Sequence, residues 1–305
     1  MSRKILFFIN PISGGKSKYN LEEKIVNKCR ERNISYEILF TSKDGDYDFL
    51  HDKIRTEGIT DIAICGGDGS IGPIVAATLN KPVRIGLIPL GSGNGLSRTA
   101  AVPNSVNKAI DLIFDGGAYS TDAFLINDRL SAHVCGFGFD AKVAYDFAKK
   151  KRRGLQTYTR IALMNLRAAR TYPFAIETKE AQFKVNAFLV CIANSNQFGN
   201  NLKIAPKASI CDGLLDIVIL KKTSKAQIIL SFLKQIISGK IQTPSKKNID
   251  RNNIIYFQTD RLKIENPESA PLHIDGDPSE TSSHFSIEIL PSAYKLIRNG
   301  DPARF

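Results

Sequence analysis

The 305-residue sequence has no tryptophan and only four histidines, His51, His133, His273 and His284. These are scattered and form no HExxH pattern, which argues against a zinc hydrolase of that type. No GxSxG nucleophile elbow is present, so the serine hydrolases built on one are disfavoured too. Cysteine is sparse: Cys29, Cys65, Cys135, Cys191 and Cys211 are odd in number, far apart and without a CxxC. That spacing argues against a disulfide framework or a zinc cluster and fits a reducing cytoplasm. Long apolar runs are lacking as well. Met1-Ser2-Arg3-Lys4 precedes only the five apolar residues 5–9, shorter than the core of a signal peptide. No run approaches the roughly 18 apolar residues of a membrane span. Internal repeats and low-complexity segments are absent.

What is present fits about two domains, at roughly 100–200 residues each. Hydrophobic residues make up 43% and charged residues 24%, the balance of a globular chain with a sizeable core of its own. The charge is one-sided. Lys plus Arg is 42 and Asp plus Glu is 30, a formal net charge of +12. The excess points to an anionic partner: a nucleotide, a nucleic acid or an acidic lipid surface.

Along the first 120 residues, short apolar runs alternate with helical periodicity. Residues 4–9, 35–40, 61–65 and 84–88 read as strands, and 21–32, 47–57, 71–79 and 106–114 as helices. This alternation predicts βαβ units on a parallel sheet covered on both faces. After Gly116-Gly117 strands dominate, at 123–126, 130–136, 183–193, 215–220, 254–258, 261–265 and 285–289. A long helical insertion at about 141–170 interrupts them, and a second helix is expected at 225–238. The tail 291–298 reads as a helix that packs back on the first domain. The expected domains are 1–121, with the tail 291–305, and a β-rich 122–290.

Three glycine-rich turns follow apolar strands in the first domain. The first, Asn10-Pro11-Ile12-Ser13-Gly14-Gly15-Lys16-Ser17, nearly fits a P-loop, but Asn10 stands where the first glycine belongs. The second, Cys65-Gly66-Gly67-Asp68-Gly69-Ser70-Ile71-Gly72, contains GxGxxG. The ribose-binding acid of a dinucleotide enzyme is missing from the apolar stretch that follows, 85–89. Its glycines let backbone N–H groups approach a phosphate, and Asp68 suits such a site when a cation such as Mg²⁺ lies between. The third, Pro89-Leu90-Gly91-Ser92-Gly93-Asn94-Gly95-Leu96, adds Ser92 and Asn94. Parallel strands place all three loops at one sheet edge, where they converge on one ligand.

At these residues the chain resembles the diacylglycerol kinase catalytic-domain family, which includes bacterial soluble diacylglycerol kinases, YegS-like lipid kinases and sphingosine kinases. The match runs through Asn10-Pro11, Gly66-Gly67-Asp68-Gly69-Ser70 and Pro89-Leu90-Gly91-Ser92-Gly93-Asn94. It continues with Gly136-Phe137-Gly138-Phe139-Asp140, Ala205-Pro206, Asp212-Gly213-Leu214-Leu215-Asp216 and Asp275-Gly276-Asp277. The resemblance implies an α/β nucleotide domain with a parallel sheet, an all-β sandwich-like C-terminal domain and an active site between them. ATP would be held at Asn10, Thr41, Gly66, Gly67, Asp68, Gly69, Ser70, Ile71, Gly72, Ser92 and Asn94. A structural Mg²⁺ site maps onto the Ser209 carbonyl, the Asp212 carboxylate and the Leu214 carbonyl, while Asp122, at the domain junction, is a candidate carboxylate for the catalytic Mg²⁺ alongside Asp68. The general base maps onto Asp277, where the family carries the longer glutamate, and Asp68 is the rival base. Gly95 is a second departure, since many bacterial members carry aspartate there.

The reaction implied is γ-phosphate transfer from ATP to a hydroxyl of a lipid such as diacylglycerol or a sphingoid lipid, a step of phospholipid metabolism. The implied location is cytoplasmic, at the inner face of the membrane, with room for a homodimer and no nucleic-acid partner. The basic run Lys149-Lys150-Lys151-Arg152-Arg153 is the candidate membrane contact. Two alternatives stay open: an NAD kinase-like enzyme, which shares the GGDG loop, and a non-enzymatic nucleotide-, lipid- or nucleic-acid-binding protein.

Overall fold

Four apolar segments become neighbouring parallel strands: β1 (Lys4–Ile9), β2 (Ser35–Phe40), β3 (Asp61–Gly66) and β4 (Arg84–Pro89), in the order β2-β1-β3-β4. The computed structural model describes residues 3–13, 20–150, 154–199, 202–221 and 254–300. Gly14, Gly15, Lys16 and Ser17, the basic residues Lys151, Arg152 and Arg153, and the helix expected at 225–238 lie outside the described residues. Every residue of β3 is buried, as a central strand covered on both faces requires. The helices are α1 (Leu21–Glu31), α2 (Leu50–Glu57), α3 (Ile71–Ala77), the short α4 (Gly95–Thr99) and α5 (Val106–Asp115). In α1 the buried Leu21, Ile25 and Cys29 recur every four residues on one face. Glu22 and Glu23 in its first turn and Lys28 and Arg30 in its last oppose the helix dipole favourably.

At the opposite edge from the glycine loops, the strand starts are tied by charge. Arg3 donates to Asp61 from Nε at 2.9 Å and from a terminal nitrogen at 3.1 Å, and Arg84 reaches the same carboxylate at 2.7 Å. Asp61 is fully buried, which alone would raise its pKa. The donors Arg3, Arg84 and Thr60 outweigh burial and hold it below the ordinary value.

The second half is the expected β-rich, sandwich-like unit. Its strands are β5 (Gly117–Ile126), β6 (Arg129–Ser131), β7 (Val134–Gly138), β8 (Tyr172–Glu177), β9 (Gln182–Ala193), β10 (Gln197–Gly199), β11 (Leu202–Lys203), β12 (Leu215–Lys221), β13 (Ile254–Thr259), β14 (Arg261–Glu265), β15 (Leu272–Ile274), β16 (Asp277–Ser279) and β17 (His284–Arg298). One apolar cluster gathers Phe124, Phe137, Phe174 and Phe285, with the Phe137 and Phe285 rings 4.9 Å apart, edge to face. A second lies under two helices, α6 (Phe139–Ala148) and α7 (Leu155–Ala168), whose Val143, Ile161 and Leu166 pack with Phe188 and Val218 of the sheet.

Three expectations change. The insertion at 141–170 is two helices, not one; Gly154, with φ 113°, precedes the second in a conformation closed to other residues. The expected strand at 130–136 is split into β6 and β7 around Ala132 and His133. The tail at 291–298 is not helical. It is the second half of β17, which pairs with β5 along Tyr294–Arg298 and with β4 at Lys295 and Leu296. The tail does return to the first half, but as a strand, because pairing on both sides overrides its local helical pattern. β17 therefore runs through both halves of one continuous sheet. Its register shifts between Leu290 and Tyr294, where Ser292 has φ 53° and its N–H donates to Asp122 at 2.7 Å.

Candidate active site

The carboxyl ends of β1, β3 and β4 lie side by side, and hydrogen bonds fasten their loops together. The Asn10 N–H donates to the Cys65 carbonyl at 2.9 Å. Its side-chain amide donates to Ser70 Oγ at 2.8 Å, and its Oδ1 accepts the Ile12 N–H at 3.0 Å. The Gly66 carbonyl accepts the N–H groups of Leu90 and Gly91, at 2.8 and 3.2 Å. Gly67 and Gly91 meet backbone to backbone, since a Cβ on Gly91 would fall 2.6 Å from Gly67 Cα. Asn94, with φ 52°, donates to the Gly91 carbonyl at 2.9 Å and starts α4. Ser92 sits half-buried between the glycines, and Ile71 and Gly72 open α3. Thr41, next along from β2, donates its N–H to the Ile9 carbonyl at 3.0 Å. The exposed apolar side chains Ile12 and Phe40 flank the same edge and escaped the sequence reading.

Asp68 serves this assembly with both oxygens. Oδ2 accepts the Gly95 N–H at 2.9 Å and Oδ1 accepts the Leu96 N–H at 3.1 Å. It binds the second loop to the third by taking up unpaired N–H groups of α4.

The second half contributes a hairpin. β15 and β16 pair with Ile274 opposite Asp277, leaving Asp275-Gly276 as a two-residue turn. Both turn residues have positive φ, 50° and 86°, the signature of the type I′ turn that Asp-Gly favours. The Asp275 carboxylate is spent on docking this turn. It accepts Ser131 Oγ at 2.6 Å and the N–H groups of Ala132, His133 and Val134 at 3.1 Å each. Burial raises its pKa, and the His133 side chain and these donors pull it back only in part. Asp277, next after the turn, is exposed and lies over the glycine loop: a Cβ on Gly69 would fall 2.7 Å from its Cγ. The hairpin also touches Gly72, whose Cβ would lie 2.9 Å from Asp275 Oδ2. Gly69, the neighbour of Asp68 in the loop, and Asp277 thus meet across the two halves of the chain.

The residues of the expected structural metal site form a separate group, and Asp122, expected beside Asp68, lies with them instead. Asp122 is buried at the β17 register shift; Oδ2 accepts the Gly213 N–H at 2.8 Å while Oδ1 holds Ser292. Asp212 Oδ1 accepts the Leu214 N–H at 3.1 Å, which curls the loop from Ser209 to Leu214. Burial raises the Asp212 pKa, and the Asp122 charge raises it further. Among the described residues no cluster of three or more His, Cys, Asp or Glu is assembled.

Two contacts could not be anticipated from the sequence. His133 packs its ring where a side chain at Gly95 would have to go, and its Nδ1 hydrogen-bonds Ser195 Oγ. His273 Nε2 meets Asp140 Oδ2 at 3.2 Å, both side chains being 4% exposed.

The comparisons with known proteins agree with this fold. Residues 4–126 match the family model of the diacylglycerol kinase catalytic domain. Residues 133–298 match that of the YegS C-terminal NAD kinase beta sandwich-like domain. A probable lipid kinase YegS-like protein of Shewanella frigidimarina is 26% identical over 300 residues, covering 96% of this chain and 94% of its own. A probable lipid kinase YegS of Salmonella arizonae is 26% identical over 292 residues, covering 93% of each. The solved structure of a Bacillus anthracis diacylglycerol kinase superposes with a TM-score of 0.70 at 22% identity, over 97% of each chain. Another Bacillus anthracis chain reaches a TM-score of 0.79 at 23% identity, over 97% of this chain and 95% of that one. The fold and the paired domains define a two-domain kinase of the α/β-plus-sandwich class. The chain belongs to the diacylglycerol kinase catalytic-domain family, with the YegS-type C-terminal domain.

Proposed function

We propose that the protein is an ATP-dependent lipid kinase. It transfers the γ-phosphoryl group to a hydroxyl of a lipid such as diacylglycerol or a sphingoid lipid. The observation that carries this reading is the placement of the exposed Asp277 carboxylate over Gly69, beside the joined glycine loops. Phosphoryl transfer asks mainly for charge stabilisation and in-line positioning. Backbone N–H groups of the loops after β1, β3 and β4 hold the ATP phosphates, with Asn10, Thr41, Ser70, Ser92 and Asn94 around them. Ile12 and Phe40 offer apolar surface for the adenine. The lipid oxygen forms its bond to the γ-phosphorus as the bond to the ADP oxygen breaks, and the hydroxyl proton passes to Asp277. Asp68 is the rival base; both its oxygens accept backbone N–H groups, which ties it to the third glycine loop.

For Mg²⁺ this reading draws on an oxygen donor set. The Ser209 and Leu214 carbonyls and the Asp212 carboxylate, with Asp122 next to it, suit a hard cation. Mg²⁺ carried with ATP would neutralise phosphate charge, with Asp68 the carboxylate nearest the glycine loops. The lipid is reached at an anionic bilayer surface on the cytoplasmic side, through the face of α6 and α7. There Tyr145, Leu163 and Met164 are exposed, and Lys149 lies 5.1 Å from the Tyr145 ring centre.

The test is γ-phosphate transfer from labelled ATP to a panel of lipids in mixed micelles, with NAD as a control acceptor. Transfer to a lipid supports the proposal and identifies the substrate class. Transfer to NAD alone, or to nothing despite ATP binding, overturns it.

A further inference from the structure

Asp277 is held in place by more than its own turn. The Gly276 N–H, one residue before it, donates to His273 Nδ1 at 3.3 Å. An accepting Nδ1 carries a lone pair, so the proton of the neutral ring is on Nε2. That Nε2–H points at Asp140 Oδ2, 3.2 Å away. The other Asp140 oxygen accepts the Ala141 N–H at 2.8 Å, inside the first turn of α6. A chain of hydrogen bonds therefore runs from α6 through Asp140 and His273 to Gly276, the residue before Asp277.

The surroundings are shaped for this chain. His273 pairs across the strands with Gly136. A Cβ there would overlap the Asp140 carboxyl group and fall 2.9 Å from His273 Nε2. A glycine at that register position is what lets a carboxylate and an imidazole meet inside the sheet. The Gly276 N–H comes from an exposed turn residue yet is directed inward at the buried His273 ring. The arrangement makes sense as a device that fixes the angle of the turn.

We propose that Asp140 and His273 are positioning residues for Asp277: they fix the imidazole tautomer that holds Gly276 and so keep the carboxylate over Gly69. The inference rests on the reading of Asp277 as the base. It also links α6, whose outer face carries the exposed Tyr145, to the hairpin that bears this carboxylate.

The test compares His273→Ala, His273→Asn and Asp140→Ala in the full-length protein, with Asp277→Asn as a reference. Asparagine at 273 can still accept from Gly276 through Oδ1, so it should restore much of what alanine loses. Misplacing a reacting group by about 1 Å costs on the order of 100-fold in rate. The expected result is a fall in kcat of about 10- to 100-fold for His273→Ala and Asp140→Ala. KM for ATP stays within about twofold, because the phosphate loops do not depend on the chain, and His273→Asn recovers most of the loss. A purely structural dyad would lower melting temperature and leave kcat per folded molecule unchanged. That outcome, with Asp277→Asn inactive, overturns the positioning role alone. Full turnover by Asp277→Asn overturns the base assignment and this inference with it. If the alanine variants do not fold, His273→Asn against His273→Gln decides. Gln keeps the donor toward Asp140 and gives up the acceptor for Gly276, so Gln should be the slower enzyme; equal rates overturn the proposal.

Discussion

The imidazole of His133 fills the side-chain space of Gly95. A Cβ on that glycine would overlap the ring and would lie 2.8 Å from the Gln197 carbonyl as well. The missing carboxylate at position 95 therefore has a steric cause within this chain. The contact also joins the third glycine loop to the second half, because His133 stands between β6 and β7. Gly95→Ala should destabilise the protein by about 1–3 kcal/mol, the usual cost of overpacking a tight interior. Adding His133→Ala should return part of that loss, with a coupling of about 0.5–3 kcal/mol in a double-mutant cycle. Denaturant melts of the four proteins measure it. Strict additivity would show that the two residues do not compete for one space.

Gly69 faces Asp277 in the same way, but at a functional contact. The Gly69→Ala change puts a methyl group into the carboxyl group of Asp277, an exposed side chain with solvent on its outer side to move into. The expected outcome is a fold that survives and a turnover that falls on the order of 100-fold. Thermal melting and lipid-kinase rates on the same samples separate the two effects. An unchanged rate would mean that Asp277 works from a different position.

The four parallel strands and their loops were legible because the signals are local: apolar runs, helical periodicity and glycine clusters within ten residues of each other. The Asp-Gly turn at 275–276 was visible as a motif. Its division of labour was not, because the partners of Asp275 lie more than 140 residues earlier. The same holds for Asp140 and His273, which meet only through the register that sets His273 opposite Gly136. The tail misled for a related reason. Its strand identity comes from β5 and β4, which flank it, and not from its own residue pattern.

Asp61 should make the fold acid-sensitive. Its folded pKa lies below the ordinary carboxylate value despite burial, through Arg3, Arg84 and Thr60. A depressed carboxyl contributes stability that is present above its unfolded pKa, about 3.9. That contribution is lost as pH falls through the folded pKa. Replacing Asp61 by Asn leaves Arg3 and Arg84 without their shared carboxylate and should cost about 2–3 kcal/mol at neutral pH. At pH values below that folded pKa the variant and the parent should converge. Urea melts across that range test it, and a constant gap at all pH values would refute it.

Asp216 predicts the opposite slope. It is fully buried in β12, and burial pushes its carboxyl up to about 6, with Tyr256 and Gln258 drawing it back only in part. Here the folded state holds its proton more tightly than the unfolded chain does. Stability therefore declines as pH rises from about 4 to about 6 and stays lower above that. Asp216→Asn removes the penalty of burying a charge and keeps a polar group for Tyr256 and Gln258. The variant should be more stable than the parent by about 2–3 kcal/mol at pH 7, and equal to it near pH 4. A variant less stable at both pH values would show that the carboxylate is needed by its neighbours in charged form.

The outer face of α6 and α7 should bind anionic vesicles. Between residues 141 and 175 the chain carries nine basic side chains and a single acidic one, Asp146. Lys142 already pairs with that acid at 3.1 Å. Two apolar side chains, Leu163 and Met164, stand exposed on α7, which no water-facing helix needs. Each basic residue near an anionic surface contributes about 1 kcal/mol, and the attraction fades with salt. Changing Lys149 and Lys150 to Gln should weaken binding to phosphatidylglycerol vesicles by about 10-fold or more. Leu163→Asp with Met164→Asp should weaken it further and also lower binding at high salt, where charge is screened. Flotation with anionic and neutral vesicles reads both effects. Equal binding by all three proteins would place the membrane contact elsewhere on the molecule.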